Sequence, residues 1–86
     1  MKIEEIVTKL KDMGPDAEVV IGQDINGKYY FAMNTGWVVE ENEYDGYAAY
    51  GDTIEEAANI YAEHCKGKSF QFEVEDKEPY EVQFTF

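Results

Sequence analysis

Residues 69–86 alternate between apolar and polar side chains. Two runs on either side of Glu78-Pro79 carry the alternation: Phe70, Phe72 and Val74, then Tyr80, Val82, Phe84 and Phe86. Successive residues of a strand point to opposite faces of a sheet, so this pattern predicts an antiparallel hairpin with one apolar face. No other part of the sequence constrains the fold as strongly.

The register of this hairpin is restricted by its apolar residues. To keep both runs on one face, the numbers of paired residues must sum to an even value. Two such registers place Glu81 directly opposite another acid, either Glu73 or Glu75. Like charges across a ladder are unfavourable, so we expect an acidic outer face that lowers the stability of the hairpin.

Two other segments have the spacing of helices. Residues 2–13 place apolar side chains three and four residues apart, and Gly14-Pro15 ends the pattern. Either Asp52 or Thr53 caps a second helix, since Thr53 and Glu56 fit a capping box, and this helix ends at residues 66–68. The buried stripe predicted for this helix consists of Ile54, Ala57, Ala58, Tyr61 and Cys65.

Strands are predicted between the two helices. Residues 17–22 and 28–33 flank Asn26-Gly27, a dipeptide that favours a hairpin turn, and the second strand is apolar on both faces, which is typical of the inside of a sheet. Residues 36–39 predict a third strand and residues 47–50 a short fourth one.

The segment between these last two strands, residues 40–46, is acidic and ends in turn residues. A chain of 86 residues supports one core. The sequence therefore predicts a single acidic α+β domain over residues 1–86. Its expected order is α-β-β-β-(β)-α-β-β, with a mainly antiparallel sheet and two helices packed on one face.

Charge is the outlying feature of the composition. Nineteen acids, seven lysines and no arginine give a formal net charge of -12. Such a chain repels phosphates, so we expect no direct binding to nucleic acid or to an anionic membrane. Spread over roughly 5,000 Å² of folded surface, the charge is several times more dilute than that of B-DNA. Imitation of nucleic acid therefore needs the acids to be gathered on one face.

Cysteine usage and hydropathy indicate a location. Cys65 is the only cysteine, so no internal disulfide can form, which fits a reducing compartment. The sequence shows neither the apolar stretch of a signal peptide nor a run long enough to cross a bilayer. We expect a cytoplasmic protein, in the host cytoplasm if a phage encodes it.

No catalytic or cofactor motif is present. His64 and Cys65 are neighbours on a predicted helix and point about 100° apart, so they cannot act as base and nucleophile; we expect Cys65 in the core and His64 facing solvent. Gly-rich phosphate loops and GxSxG elbows are missing. We predict that the protein is not an enzyme, that no residue is catalytic and that it uses no cofactor.

Metal binding is not predicted either. Asp24-Ile25-Asn26-Gly27 resembles the start of a calcium loop, but the remaining ligands are missing. Four acids of residues 40–45 could weakly hold a divalent cation, although a solvated acidic loop explains them better.

Tyrosines among these acids suggest a surface for protein binding, because aromatic residues are enriched in interfaces. Tyr44, Tyr47 and Tyr50 lie in this region, and for Tyr47 and Tyr50 a core-facing position is an equal alternative. The candidate partner-binding residues are Glu40, Glu41, Glu43, Tyr44, Asp45, Glu73, Glu75 and Glu81.

One local stretch resembles a known family. Residues 51–58, Gly-Asp-Thr-Ile-Glu-Glu-Ala-Ala, follow an aromatic strand and resemble the strand-to-helix junction of HicB-type antitoxins. This chain lacks the family's Pro-x-Leu-Pro-Gly-Cys-like segment, adds an N-terminal helix and offers no recognisable DNA-binding tail. The resemblance implies an antitoxin that binds a small basic RNase toxin.

The whole profile, which is short, acidic and without catalytic motifs, also resembles phage-encoded inhibitors such as anti-CRISPR proteins. The leading hypothesis is a non-catalytic inhibitor or adaptor that occupies a basic surface of another protein, such as a nucleic-acid-binding site. The alternatives are the antitoxin and a housekeeping domain whose charge confers solubility. A homodimer through the C-terminal hairpin is expected if the helices leave its apolar face uncovered.

Overall fold

The computed structural model describes residues 1–86 as two helices and seven strands. The helices are α1 (Ile3–Lys11) and α2 (Ile54–Cys65). All strand pairs are antiparallel, which confirms the predicted α+β class. The strands are β1 (Val19–Gln23), β2 (Tyr29–Met33), β3 (Gly36–Glu40), β4 (Glu43–Asp45), β5 (Ala48–Gly51), β6 (Ser69–Phe72) and β7 (Tyr80–Gln83).

The strands form two sheets, a three-stranded sheet in the order β1-β2-β5 and a four-stranded sheet in the order β4-β3-β6-β7. β2 lies inside its sheet, as its two apolar faces predict. One long hairpin belongs to both sheets, because β2 leads into β3 and β4 leads into β5. Ala32 pairs with Ala48 in the first sheet, and Val38 pairs with Asp45 in the second. Six residue steps separate these two positions on one arm of the hairpin and only three on the other, so the pairing is interrupted where the sheets divide.

The acidic segment after β3 is a hairpin rather than an irregular loop. Glu41 and Asn42 both have positive φ, 45° and 72°. Two consecutive left-handed residues are typical of a type I′ turn, whose twist matches that of paired strands. The turn places Glu40 directly opposite Glu43. β4 is thus an extra strand in the predicted order.

The other predicted turn, at Asn26-Gly27, also joins paired strands, but its loop is longer than two residues. The Asp24 carboxylate accepts hydrogen bonds from the backbone N–H groups of Asn26 and Lys28, both at 2.9 Å. Gly27 follows with a φ of 84°. Asp24 therefore organises a local turn of the kind that aspartate side chains stabilise.

The core lies between the inner faces of the two sheets and the helices. α2 packs on β2 and β5, and α1 packs on α2 and β1. Tyr61 is fully buried. Its ring centroid lies 5.4 Å from that of Phe31 in β2 and 6.4 Å from that of Phe84, the residue after β7. The predicted stripe of α2 is confirmed except that Ile54 is only partly buried and Ala62 joins it. Neither helix is long and apolar enough to cross a membrane.

The start of α2 explains the stretch that resembles HicB-type antitoxins. The Thr53 hydroxyl accepts a hydrogen bond from the Glu56 N–H at 3.0 Å, and the Glu56 carboxylate accepts one from the Asp52 N–H at 3.1 Å. A Cβ on Gly51 would lie 2.8 Å from the backbone nitrogen of Ala57. Several residues of the stretch therefore have a local structural role in beginning the helix.

The C-terminal hairpin forms with one apolar face, as predicted, but the two expected registers are wrong. Gln71, not a glutamate, lies opposite Glu81. β6 ends at Phe72, so Glu73 and Glu75 fall in the seven-residue connection to β7 rather than in the ladder. The destabilising pair of glutamates is absent from this hairpin.

The connection is held by contacts that are distant in sequence. The Glu73 N–H donates to the Thr35 carbonyl at 2.9 Å, and the Asp16 carboxylate accepts hydrogen bonds from the Lys77 ammonium at 2.9 Å and from the Tyr80 hydroxyl. These contacts draw the chain out of the ladder after Phe72. The apolar residues of the hairpin face into the core, where Phe70, Phe72 and Phe84 are buried and Tyr80, Val82 and Phe86 are partly buried. A homodimer through this face stays a prediction.

Candidate protein-binding face

The outer face of the four-stranded sheet is not covered by a helix. Directly opposite residues of antiparallel strands share a face, and the pairing places Trp37 beside Gln71 and Glu81, and Tyr44 beside Val39. Both helices pack on strands of the other sheet. We call this surface the aromatic face; its residues are Trp37, Val39, Tyr44, Ser69, Gln71, Glu81 and Gln83.

Two large aromatic side chains stand exposed on the aromatic face. Trp37 is 42% exposed and Tyr44 is 59% exposed. They are diagonal neighbours, because Tyr44 lies opposite Val39, two residues along β3 from Trp37. The Trp37 ring lies close to Gly46, where a Cβ would be 3.2 Å from it. Exposed tryptophan and tyrosine are the side chains that most often dominate binding energy in protein interfaces.

Negative charge is concentrated in the same part of the chain. Residues 36–45 contain four acids and no lysine, and residues 69–86 contain five acids and one lysine, so they carry -8 of the net charge of -12. These two segments are about a third of the chain. In contrast, residues 1–12 contain three acids and three lysines.

Two of the predicted binding acids lie on or beside the aromatic face, and a third lies in the adjoining connection. Glu81 is exposed two strands away from Trp37, about 10 Å at the usual strand spacing. Glu73 lines a shallow groove together with Trp37, Met33, Asn34 and Gly36. Glu75 is exposed in the connection between β6 and β7.

The acids of the β3–β4 hairpin are arranged differently. Glu40, Glu43 and Asp45 alternate with Tyr44 and Val39 and so belong to the opposite side of the sheet. Glu41 is exposed at the turn. Of the eight residues predicted to bind a partner, Tyr44 and Glu81 share the aromatic face, Glu73 and Glu75 lie on the β6–β7 connection, and the others do not join them.

Glu40 is already paired within the chain. The Lys68 ammonium donates a hydrogen bond to Glu40 Oε1 at 2.8 Å. This bond, followed by the attraction of the lysine charge, lowers the pKa of Glu40. The carboxylate is therefore ionised and partly neutralised before any partner arrives.

Of the two positions predicted as alternatives, Tyr47 takes the core-facing one and Tyr50 the surface one. Tyr47 is half-buried, with its ring 5.8 Å from that of Tyr61, whereas Tyr50 is 52% exposed on the outer face of the three-stranded sheet. Tyr47 also stacks on His64, with 3.7 Å between the ring centroids. The expectation that His64 faces solvent is wrong, because this stack holds the imidazole against the protein.

Cys65 is buried, as expected from its place in the helical stripe. Burial raises the pKa of its thiol to about 12. The thiol is therefore protonated at neutral pH, which makes it a poor nucleophile.

Trp37 is absent from the residues predicted from the sequence. The run of residues 36–39 is apolar throughout, so it does not show which side faces outward. Once Val38 is assigned to the core, the period of two places Trp37 on the outer face. That assignment needs the partner strand, Ser69–Phe72, whose pairing joins residues far apart in the chain.

Comparison with known proteins adds no relative: no protein-family model, no curated protein and no solved structure matches this chain.

Proposed function

We propose that this chain is a non-catalytic binding module that lays its aromatic face on a basic surface of another protein. One observation carries the proposal: Trp37 and Tyr44 are exposed side by side on an uncovered sheet face, within the segments that hold most of the negative charge. The aromatic residues would supply affinity. The carboxylates around them would select a positively charged partner and speed the encounter.

The magnitude of the charge supports a protein partner of this kind. The whole surface is 5407 Å², which gives about 450 Å² per net charge. Of the acids in the four-stranded region, Glu81 lies on the aromatic face and Glu73 lies beside Trp37, whereas Glu40, Glu43 and Asp45 lie on the other side of the sheet. B-DNA carries about one charge per 100 Å². The aromatic face therefore carries a few carboxylates that can attract a basic protein surface, and it does not have the phosphate density of a duplex.

The partner's chemistry follows from the same residues. A lysine or arginine can lie over the exposed Trp37 ring in a cation–π contact, and arginine can also pair with Glu81 or Glu73 through two hydrogen bonds. Nucleic-acid-binding proteins present such basic residues in quantity. Inhibition of one of them, by occupying the site where it binds nucleic acid, is the function that these contacts support best.

The test is calorimetric titration of the chain into a panel of purified basic nucleic-acid-binding proteins, with small RNases included because the antitoxin alternative predicts binding to those alone. For any protein bound, we expect Trp37→Ala and Tyr44→Ala each to weaken binding by about 2 kcal/mol or more. Affinity should also fall as salt is added.

Tyr50→Ala is the matched control, because Tyr50 has a similar exposure but lies on the other sheet. It should leave affinity unchanged. The proposal fails if no member of the panel binds, or if binding survives both changes on the aromatic face and is lost with Tyr50.

A further inference from the structure

Three side chains able to ligate a metal meet where the β3–β4 hairpin approaches the last turn of α2. They are Glu40 from β3, Asp45 from β4 and His64 from α2. One ligand atom of each lies within 4.8 Å of the other two. The set thus combines an imidazole nitrogen and two carboxylate oxygens brought together by three elements.

The imidazole is held in place without a hydrogen bond. His64 Nε2 is buried and has no hydrogen-bond partner within the chain, and it lies 3.7 Å from Glu40 Oε2. The ring stacks on Tyr47 with 11° between the two planes. Packing against Tyr47 therefore fixes the direction of a ring nitrogen that makes no hydrogen bond within the chain, which separates this cluster from ordinary surface acids.

The Glu40 carboxylate is oriented as a metal ligand requires. Its Oε1 accepts the hydrogen bond from Lys68, which leaves Oε2 on the side of His64. Metal-binding carboxylates commonly have their second oxygen held by such an outer contact, which fixes their direction. Asp45 is exposed and completes the set from the neighbouring strand.

We propose that Glu40, Asp45 and His64 bind one divalent transition-metal ion, of which Zn²⁺ is the best fit. An imidazole with two carboxylates suits zinc better than calcium or magnesium, which take oxygen ligands alone. Zinc ligands lie about 2 Å from the metal, so donor atoms less than 4.8 Å apart need only small side-chain movements. A fourth position stays open for water or for a partner's side chain.

The site is independent of the proposed binding to a basic protein, and either can fail alone. The metal site has one structural consequence for the aromatic face, because Tyr44 lies between Glu40 and Asp45 in the β3–β4 hairpin. A bound ion would tie the hairpin to α2 and so restrict the motion of Tyr44.

The test is titration of ZnCl₂ into the full chain, followed by calorimetry and by the imidazole nitrogen resonances. His64 is the only histidine, so its signals are unambiguous. We expect one equivalent to bind and the Nε2 resonance, not Nδ1, to shift. Binding should weaken by at least about tenfold in His64→Phe, which keeps an aromatic ring against Tyr47, and in Glu40→Gln and Asp45→Asn.

Glu41→Gln is the control, since Glu41 lies on the same hairpin and loses the same charge but is outside the cluster. It should change the affinity less than twofold. An unmoved Nε2 resonance in the unaltered chain at saturating zinc would overturn the proposal whatever the variants do. Equal zinc affinity in His64→Phe and the unaltered chain would overturn it as well.

Discussion

The outer faces of the two sheets both carry aromatic side chains, but they differ in charge and in how much of each aromatic ring packs against its own sheet. On the three-stranded sheet, the outer face consists of Val20, Gly22, Tyr30, Ala32, Ala48 and Tyr50, none of them charged. The Tyr30 ring lies over Gly22, and a Cβ there would be 2.2 Å from its hydroxyl. On the four-stranded sheet, by contrast, Trp37 and Tyr44 stand exposed among polar and acidic residues.

The difference shows that aromatic content alone does not identify a binding face. Tyr30 packs on its own sheet and on Tyr50, with 6.1 Å between the ring centroids, so part of its surface is already buried. Trp37 and Tyr44 are more exposed than Tyr30, but Tyr50 is exposed to a similar degree, so the carboxylates near Trp37 are what restrict which partner can bind.

The largest expected effect concerns the glycines of the two sheets. A Cβ at Gly36 would lie 1.9 Å from the carbonyl oxygen of Gln71, which is backbone of the paired strand and cannot move without breaking the ladder. Gly36→Ala should therefore lower the free energy of unfolding by about 3 kcal/mol or more. Urea unfolding monitored by Trp37 fluorescence measures it.

Gly22→Ala is the comparison on the other sheet. There the obstacle is the far end of the Tyr30 side chain, which can swing away, so we expect a loss of about 1 kcal/mol. Equal losses for the two substitutions would show that the four-stranded sheet is not held as tightly as its pairing implies.

A smaller effect is expected from Asp16, which precedes the three-stranded sheet and holds the connection between β6 and β7. The hydrogen bond from Tyr80, then that from Lys77, lowers the pKa of Asp16 below its ordinary value of 3.8. Such a group stabilises the fold above pH 3.8, and this stability is lost as the pH falls through the lowered pKa of the folded state.

Asp16→Asn should therefore reduce stability at neutral pH, and the gap to the unaltered chain should close on acidification below about pH 4. Urea unfolding across this range measures it. Glu40 also has a lowered pKa, so part of the acid dependence should remain. A gap that stays constant with pH would contradict the assigned role of Asp16.

The smallest effect is expected at Glu81. Because Gln71 and not a glutamate lies opposite it, removal of its charge relieves no repulsion across the ladder. Glu81→Gln should change the free energy of unfolding by less than about 0.5 kcal/mol, while weakening the binding of a basic partner at low salt. A clear rise in melting temperature would instead favour a register with paired glutamates.

Features set by local sequence were predictable. The helices, the capping box at Thr53, the strand inside the sheet and the one-faced C-terminal hairpin all follow from periodicity and from turn or cap residues. Each depends on residues close together in the chain, where side-chain spacing determines which face is buried.

Features set by distant contacts were not predictable. The hairpin register depends on Asp16 and Thr35, which hold the β6–β7 connection from the first half of the chain. The place of His64 depends on Tyr47, a residue of another element. The exposure of Trp37 depends on β6 pairing with β3. None of these contacts leaves a periodic pattern in the sequence.

The long hairpin shared by the two sheets also implies an order of assembly. The three-stranded sheet and both helices lie within residues 3–65, so their strand pairs join residues of that part of the chain. β3 gains its second neighbour only when residues 69–72 pair with it. Contacts between distant segments form more slowly than local ones, and during synthesis residues 69–86 emerge after residues 3–65. We therefore expect the proposed binding face to be completed after the three-stranded sheet during folding.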